Sequence, residues 1–231
     1  MSKEGEKFIT SDYIPCSKAT LAWVFIDAPG KPAMDPTKPF RKVVTLYADK
    51  KDAQPLLAKI SEFWEANKGK GWTPKSLGST VEKKLKEGGN PDDEKDYVET
   101  GRIGFNFWTG AVWPEKDKNG KQSANAGKDR VVDIFNAKGG KTSLGGKKIG
   151  NGSKGAVSAT MDIYENGTGP KANRGVTLYL NAIQLTSFVE FTQDAGFKSQ
   201  EAEEDAFMGV EETFEGTAAD GASTAQAKPR L

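Results

Sequence analysis

The 231-residue sequence contains no histidine and a single cysteine, Cys16. Histidine is the commonest general base and the commonest metal ligand, so its absence excludes Ser-His-Asp catalysis, Cys-His catalysis and the usual zinc sites. One cysteine cannot form an internal disulfide, which is typical of a protein from a reducing compartment. No acid–base set converges in the sequence, and we therefore predict a protein that is not an enzyme and that uses no metal or cofactor.

Long hydrophobic runs are also missing from the sequence. No apolar stretch approaches the roughly 18 residues that a membrane span requires. Residues 1–7 are polar and lack the apolar stretch of a signal peptide. These absences predict a cytoplasmic protein without a membrane partner.

The formal net charge of +1 conceals an uneven distribution of charge. Residues 199–231 contain eight acidic and two basic residues, which leaves 31 basic and 24 acidic residues in positions 1–198. The body therefore has a net charge of +7 and the tail one of −6. This asymmetry indicates a body that binds an anionic partner and a tail that interacts separately. We predict that the tail is disordered, because its few apolar residues cannot offset the entropy of ordering.

One helix and one insertion are predicted between the strands. The helix runs from about residue 53 to 67, with Asp52 as its N-cap and Pro55 in its first turn. Its apolar face is formed by residues at helical spacing, namely Leu56, Leu57, Ile60, Phe63 and Trp64. Residues 67–100 are rich in lysine and have little apolar periodicity, so we interpret them as a charged insertion that contains a short helix at 79–87.

Six segments have the apolar patterns of β-strands. They cover residues 19–27, 40–47, 101–109, 130–135, 156–164 and 175–184. The first two are predicted to pair antiparallel, and 130–135 is predicted to return as a hairpin. Sequential hairpins, one inserted helix and long basic loops favour a mainly β fold, an antiparallel barrel of the OB-fold type. We assign residues 1–192 to this domain and residues 193–231 to an acidic tail.

Trp108 is the clearest candidate for a contact with nucleic acid. Single strands are held by cations that follow the phosphates and by aromatic faces that stack on bases. The apolar face of its strand contains Ile103, Phe105 and Phe107, and the opposite face contains Arg102, Asn106 and Trp108. Trp108 is therefore either an exposed stacking surface or the cover of a second small core.

The other aromatic residues leave alternatives open. Tyr164 lies on the polar face of its strand, whereas Val157 and Met161 lie on the apolar face. It either stacks on a base or ends the strand with its hydroxyl in water. Trp23 lies in a strand that is apolar on both faces, which fits core burial as well as a DNA contact. Trp113 stands at the entry to a loop, where it either caps the barrel or contacts DNA.

Basic residues accompany these aromatic residues. Lys38, Arg41 and Lys42 flank the second strand, and Lys154 lies in the loop 138–155, which contains seven glycines and five lysines. Loop lysines suit phosphate binding and solubility alike, so the collective charge of +7 carries more weight than any one of them. Residues 150–155 match the spacing GxGxxG, but a loop precedes them and a strand follows, which argues against a dinucleotide site.

The region from residue 149 to 185 resembles the single-stranded-DNA-binding proteins of tailed phages. The similar features are the loop 149–155, the strand to Tyr164, a Gly/Pro turn and the strand 176–185. A Gly-Gly-Gly-Ser-Lys-like loop precedes the last two barrel strands in that family. The N-terminal strand pair, the following helix and the acidic tail occur in the same order, so the resemblance spans roughly residues 8–215. It implies an OB-fold that binds single-stranded DNA during phage replication and recombination in a bacterial host cell.

The resemblance also implies a binding surface. By strand position, the stacking aromatic residues of the family match Trp108 and Tyr164, and its basic contacts match Lys38 and Lys42. Together with the residue patterns, it leads us to predict DNA contacts from Trp108, Tyr164, Trp23, Trp113, Asn106, Arg102, Lys38, Lys42 and Lys154. Two other functions stay open: an annealing or architectural protein that also takes duplex DNA, and a structural β-barrel interaction protein whose aromatic residues are buried.

The acidic stretch 201–215 resembles the tail of the family. This resemblance implies contacts of the tail with the replication polymerase and helicase. The protein is expected to be a monomer or a homodimer. Residues 216–231 follow that stretch here, so the sequence does not finish on an acidic segment with an aromatic residue. Because its charge of −6 opposes the +7 of the body, we expect the tail to compete with DNA.

Overall fold

The computed structural model describes residues 7–27, 40–116 and 120–191. The chain divides into two units, 1–193 and 194–231, and every described residue belongs to the first. The predicted acidic tail and Lys38 lie outside the described residues.

Nine strands and one α-helix are present in the described ranges. In chain order they are β1 (Lys7–Ile9), β2 (Thr20–Phe25), β3 (Arg41–Asp49), α1 (Lys50–Asn67), β4 (Ser79–Leu85), β5 (Tyr97–Gly110), β6 (Asp133–Phe135), β7 (Lys141–Thr142), β8 (Lys154–Asn166) and β9 (Asn173–Ser187).

Five of these strands form a closed barrel. The ring runs β2–β3–β5–β9–β8 and returns to β2, with every pair antiparallel except the parallel pair β5–β9. This non-sequential order of five strands is typical of the Greek-key barrel of the OB-fold and confirms the predicted fold class. The predicted hairpin return holds only at the start of residues 130–135, where Arg130 donates its backbone N–H to the carbonyl of Ala111 next to the antiparallel pair Val112–Asp129. The rest of the segment forms β6, which pairs in parallel with β9 and antiparallel with β7.

The core lies inside the barrel and beneath α1. Ile103, Phe105 and Phe107 of β5 are buried, as their alternation predicts. The helix packs against β3, β5, β8 and β9 through its predicted apolar face, of which Leu57 is only partly buried. The hydrophobic effect therefore joins the helix and the barrel into one core.

The helix begins earlier than predicted. It starts at Lys50, with Asp49 in the N-cap position, because β3 ends at Asp49 and passes into the helix without a loop. Asp52 is therefore not the N-cap but lies in the first turn, where its carboxylate is 4.0 Å from the Nζ of Lys18. Pro55 falls in the second turn rather than the first.

The prediction of a charged insertion with a short helix is wrong. The predicted helix is instead strand β4, which pairs antiparallel with β5. A half-exposed, lysine-containing strand has no apolar period, so pairing with the next strand in a hairpin determines its conformation. The segment also contributes to the core, since the ring of Trp72 packs 6.4 Å from that of Trp64 and carries the guanidinium of Arg174 at 4.6 Å.

Across residues 7–27, 40–116 and 120–191, no group of three or more Cys, Asp and Glu side chains is placed to hold a metal ion. No helix in the same ranges is long and apolar enough to cross a membrane.

Candidate nucleic-acid interface

A cleft of about 470 Å³ lies on the outer face of β2, β3 and β5. Residues directly opposite each other on paired strands share one face of the sheet. The opposed pairs of β3 and β5 on this face are Val43–Trp108, Thr45–Asn106 and Tyr47–Gly104. Three predicted residues, Trp23, Asn106 and Trp108, line the cleft together with others that include Arg41, Thr45 and Tyr47. Strand alternation brings Asn106 and Trp108 to this concave surface, and the irregularity of β2 adds Trp23 to it.

Trp108 lies between a cation and a second aromatic ring. The guanidinium carbon of Arg41 is 4.1 Å from the centroid of the indole, which is the geometry of a cation–π contact. The ring of Tyr179, in register with Trp108 across the parallel pair β5–β9, is 5.2 Å away and tilted by 60°. Trp108 thus belongs to a mixed cationic and aromatic cluster on the outer face rather than to a second apolar core.

Tyr179 of this cluster is also influenced by the charge of a second arginine, Arg130. Burial raises the pKa of the Tyr179 hydroxyl and Asp162 raises it further, while Arg130 and Arg41 oppose the shift. The hydroxyl therefore stays protonated at neutral pH and can donate a hydrogen bond. Burial lowers the pKa of Arg130, an effect that Tyr179 opposes.

A second cleft, of about 310 Å³, surrounds Trp113. The guanidinium carbon of Arg130 lies 4.3 Å from the Trp113 ring, so this tryptophan also carries an arginine. Thr160 and Asn181 line the same cleft, and Asn181 Nδ2 donates a hydrogen bond to Thr160 Oγ1 at 3.0 Å. Trp113 is half-buried and lines this cleft, and its contact with DNA stays a prediction.

Trp23 is exposed and not part of the core. It lies at an irregularity of β2, between the residues Ala22 and Phe25 that pair with β3, and 55% of it is exposed. It lines the first cleft with Trp108.

The side chains of Asn106, Arg102 and Lys154 differ in their exposure and in the hydrogen bonds and ion pairs that they already make. Asn106 is exposed, and its Oδ1 accepts a hydrogen bond from Thr45 Oγ1 at 3.0 Å. The Arg102 guanidinium is 3.4 Å from the carboxylate of Glu82 and donates a hydrogen bond to a backbone carbonyl. Lys154 is exposed and is the β-sheet partner of Thr20 in β2. Thr20 in turn pairs with Tyr47 of β3. Of these three, Arg102 would have to leave an ion pair to contact DNA.

Tyr164 shares the outer face of the barrel but lines neither cleft. It is opposite Gly175 on β9, four residues from Tyr179, and this spacing corresponds to about 13 Å along a strand. The two predicted stacking residues, Trp108 and Tyr164, are therefore not brought together by the fold.

Lys42 is buried, whereas a phosphate contact requires an exposed lysine. It is opposite Thr109 on the inner face of the sheet and only 2% exposed, and its Nζ is 3.1 Å from the carboxylate of Asp129. A lysine that is buried and paired in this way serves the fold. We therefore remove Lys42 from the predicted contacts, and its neighbour Arg41, one residue away, faces the cleft instead.

We expect Lys42→Met to leave the affinity for single-stranded oligo-dT within about threefold of that of the wild type, because the charge it removes is buried and already paired. Asp129→Ala should lower the free energy of unfolding by about 1–3 kcal/mol, less than breaking a fully buried pair, because Asp129 is 45% exposed. Binding titrations and urea unfolding measure the two effects. A loss of affinity in Lys42→Met as large as that in Arg41→Gln would show that Lys42 does contact phosphate.

Sequence reasoning missed two residues of this surface, Arg130 and Tyr179, and it noted Arg41 beside the second strand without including it among the predicted contacts. Tyr179 had a signal, since it alternates with the buried Leu178 and Leu180 just as Trp108 alternates with its apolar neighbours. Arg130 had only the predicted hairpin return as a signal. In the structure its backbone N–H donates to the carbonyl of Ala111, and this local hairpin brings its guanidinium to Trp113.

The chain was compared with known proteins at three levels. No family model matches it, and no curated protein matches it. Among solved structures, it is similar to gp2.5, a single-stranded DNA binding protein encoded by bacteriophage T7, with a TM-score of 0.52 and 19% sequence identity. The match covers 89% of this chain and 100% of that chain. The fold is that of a phage single-stranded-DNA-binding protein.

Two structures of the single-stranded DNA-binding protein from bacteriophage Enc34 are also similar. One is a C-terminal truncation, with a TM-score of 0.46, and the other is a complex with single-stranded DNA, with a TM-score of 0.44. Both are 12% identical to this chain and cover 74% of it, and the matches span 83% and 84% of those chains respectively.

Proposed function

We propose that this protein binds single-stranded DNA without catalysis, through the two clefts on the outer face of the barrel. The observation that carries the proposal is a row of aromatic rings with arginines on them. Trp23 and Trp108 line the first cleft, Trp108 contacts Tyr179, and Arg130, whose charge acts on the Tyr179 hydroxyl, lies on the ring of Trp113 in the second cleft. We call the six residues Trp23, Arg41, Trp108, Trp113, Arg130 and Tyr179 the aromatic–arginine row.

The row supplies both physical terms that hold a single strand. Bases stack on aromatic rings and also on the planes of guanidinium groups, so a base can use either partner of the pair Arg41–Trp108. The same guanidinium groups neutralise phosphates, which makes binding dependent on salt. Because every base has a stacking face, we propose that sequence preference is low.

The fold supports this proposal, since gp2.5 of bacteriophage T7, to which this chain is similar in fold, is a single-stranded DNA binding protein. From the resemblance in sequence we further propose a role in phage DNA replication and recombination inside the host cell. Contacts with a polymerase and a helicase through the acidic tail belong to the same proposal.

Titration of fluorescently labelled oligo-dT and of a duplex of equal length, each followed by anisotropy, tests the proposal. We expect tighter binding of the single strand, by about tenfold or more, since stacked and paired bases in a duplex present no free faces to the row. Affinity should fall as salt rises. Equal affinity for duplex would favour an annealing or architectural protein. Absence of any salt-sensitive binding would favour a structural barrel without a DNA partner.

A further inference from the structure

Trp23 has an unusual backbone conformation. Its φ is +52°, and it is the one non-glycine residue with a positive φ in the described part of the chain. A bulky residue rarely adopts this left-handed region, and such outliers persist only where the surrounding structure holds them. The conformation coincides with the irregularity of β2 and places the indole at the first cleft.

The side chain of Asn151 holds this conformation. Because the irregularity takes Trp23 out of register with β3, its backbone N–H needs an acceptor elsewhere. Asn151 Oδ1 accepts that hydrogen bond at 2.9 Å, across 128 positions of sequence. This residue is the second one of the GxGxxG-like segment 150–155, for which no nucleotide-binding role was predicted.

The segment that carries Asn151 is itself fixed to β2. Gly152 donates its backbone N–H to the carbonyl of Leu21 at 3.0 Å, and Leu21 donates its own to the carbonyl of Ser153 at 2.7 Å. The Ser153 side chain is fully buried, and its Oγ donates to the carbonyl of Gly150 at 2.9 Å. Asn151 is therefore presented to Trp23 by a short loop that is hydrogen-bonded on both sides.

We propose that Asn151 is a positioning residue, which holds the backbone of Trp23 so that its indole lies at the cleft opposite Trp108 and stacks on a DNA base. The proposal rests on the proposed function, because it assigns Trp23 a base contact. Asn151 itself acts through Trp23 and need not touch the DNA.

A double-mutant cycle on ssDNA affinity tests this role, with Asn151→Ala, Trp23→Ala and the double variant titrated against labelled oligo-dT. We expect Trp23→Ala to weaken binding about tenfold and Asn151→Ala by about three- to tenfold. In the Trp23→Ala background, Asn151→Ala should have no further effect. Asn90→Ala is the matched control, since Asn90 Oδ1 also accepts a backbone N–H, that of Asp92 at 3.0 Å, in the turn between β4 and β5.

Rescue provides a second test. Asn151→Asp keeps an acceptor oxygen in the same place, so at about 0.3 M NaCl, where its added charge is screened, it should recover most of the affinity that Asn151→Ala loses. Thermal unfolding of each variant shows whether the fold is retained.

Each other result contradicts the positioning role in a distinct way. Equal losses in both backgrounds would make Asn151 a direct DNA contact, and an Asp variant no better than Ala would exclude the acceptor role. If Trp23→Ala binds like the wild type while Trp108→Ala binds weakly, the inference fails but the proposed function stands. If the wild-type protein shows no salt-sensitive binding to oligo-dT, the proposed function itself fails.

Discussion

Replacing Trp108 with alanine is expected to weaken binding of oligo-dT by roughly 5- to 150-fold, which corresponds to about 1–3 kcal/mol for the loss of one stacked base. The effect should be large because Trp108 is central to the aromatic–arginine row. Its removal also takes away the ring on which Arg41 lies and the ring that Tyr179 contacts. Anisotropy titration at a fixed salt concentration measures the loss.

Two further variants show whether that loss reflects stacking. Trp108→Phe keeps an aromatic face and should retain most of the affinity. Tyr97→Ala removes an aromatic ring from the same strand, eleven residues from Trp108, and should bind like the wild type. Urea unfolding of all three variants separates binding from stability. An affinity of Trp108→Ala equal to that of the wild type would exclude Trp108 as a stacking residue.

Removing both arginines of the row should reduce the salt dependence of binding. For single strands, each phosphate contact contributes about 0.7 to the slope of log K against log salt concentration, so Arg41→Gln combined with Arg130→Gln should lower the slope by about 1.4. Affinity at low salt should fall at the same time, because both guanidinium groups lie on aromatic rings of the clefts.

One control for the arginine variants keeps both charges, and the other removes a charge elsewhere on the surface. Arg41→Lys with Arg130→Lys retains both charges and should keep a slope near that of the wild type, although lysine stacks less well than arginine. Lys83→Gln removes an exposed charge from β4 and should leave the slope unchanged. If Lys83→Gln lowers the slope by about 0.7, the amount expected for one arginine of the row, the cations of the surface act collectively and not through the row.

Strand alternation predicted much of the interface. Because side chains of a strand alternate between faces, the buried Phe105 and Phe107 place Asn106 and Trp108 outside, and this local rule holds in the structure. The same rule, applied to β9, identifies Tyr179. One residue of register decides between Arg41, which faces the cleft, and Lys42, which is buried.

Other features could not be read from local patterns. Strand β4 forms because β5 offers it a partner, and its own lysine-rich sequence does not distinguish a strand from a helix. The position of Trp23 depends on a hydrogen bond from a residue 128 positions away. The first exception depends on a hairpin with the next strand and the second on a long-range contact, whereas the five strands of the barrel are individually recognisable in the sequence.

The central claim is that bases stack within the aromatic–arginine row. Photo-crosslinking of oligonucleotides containing 5-iododeoxyuridine, followed by mass spectrometry of the crosslinked peptides, tests it most directly because stacked aromatic residues react preferentially. We predict crosslinks to Trp108, Trp23 and Trp113, and their loss when unlabelled oligo-dT competes. Crosslinks confined to the β4–β5 hairpin or to α1, with none in the two clefts, would contradict the claim.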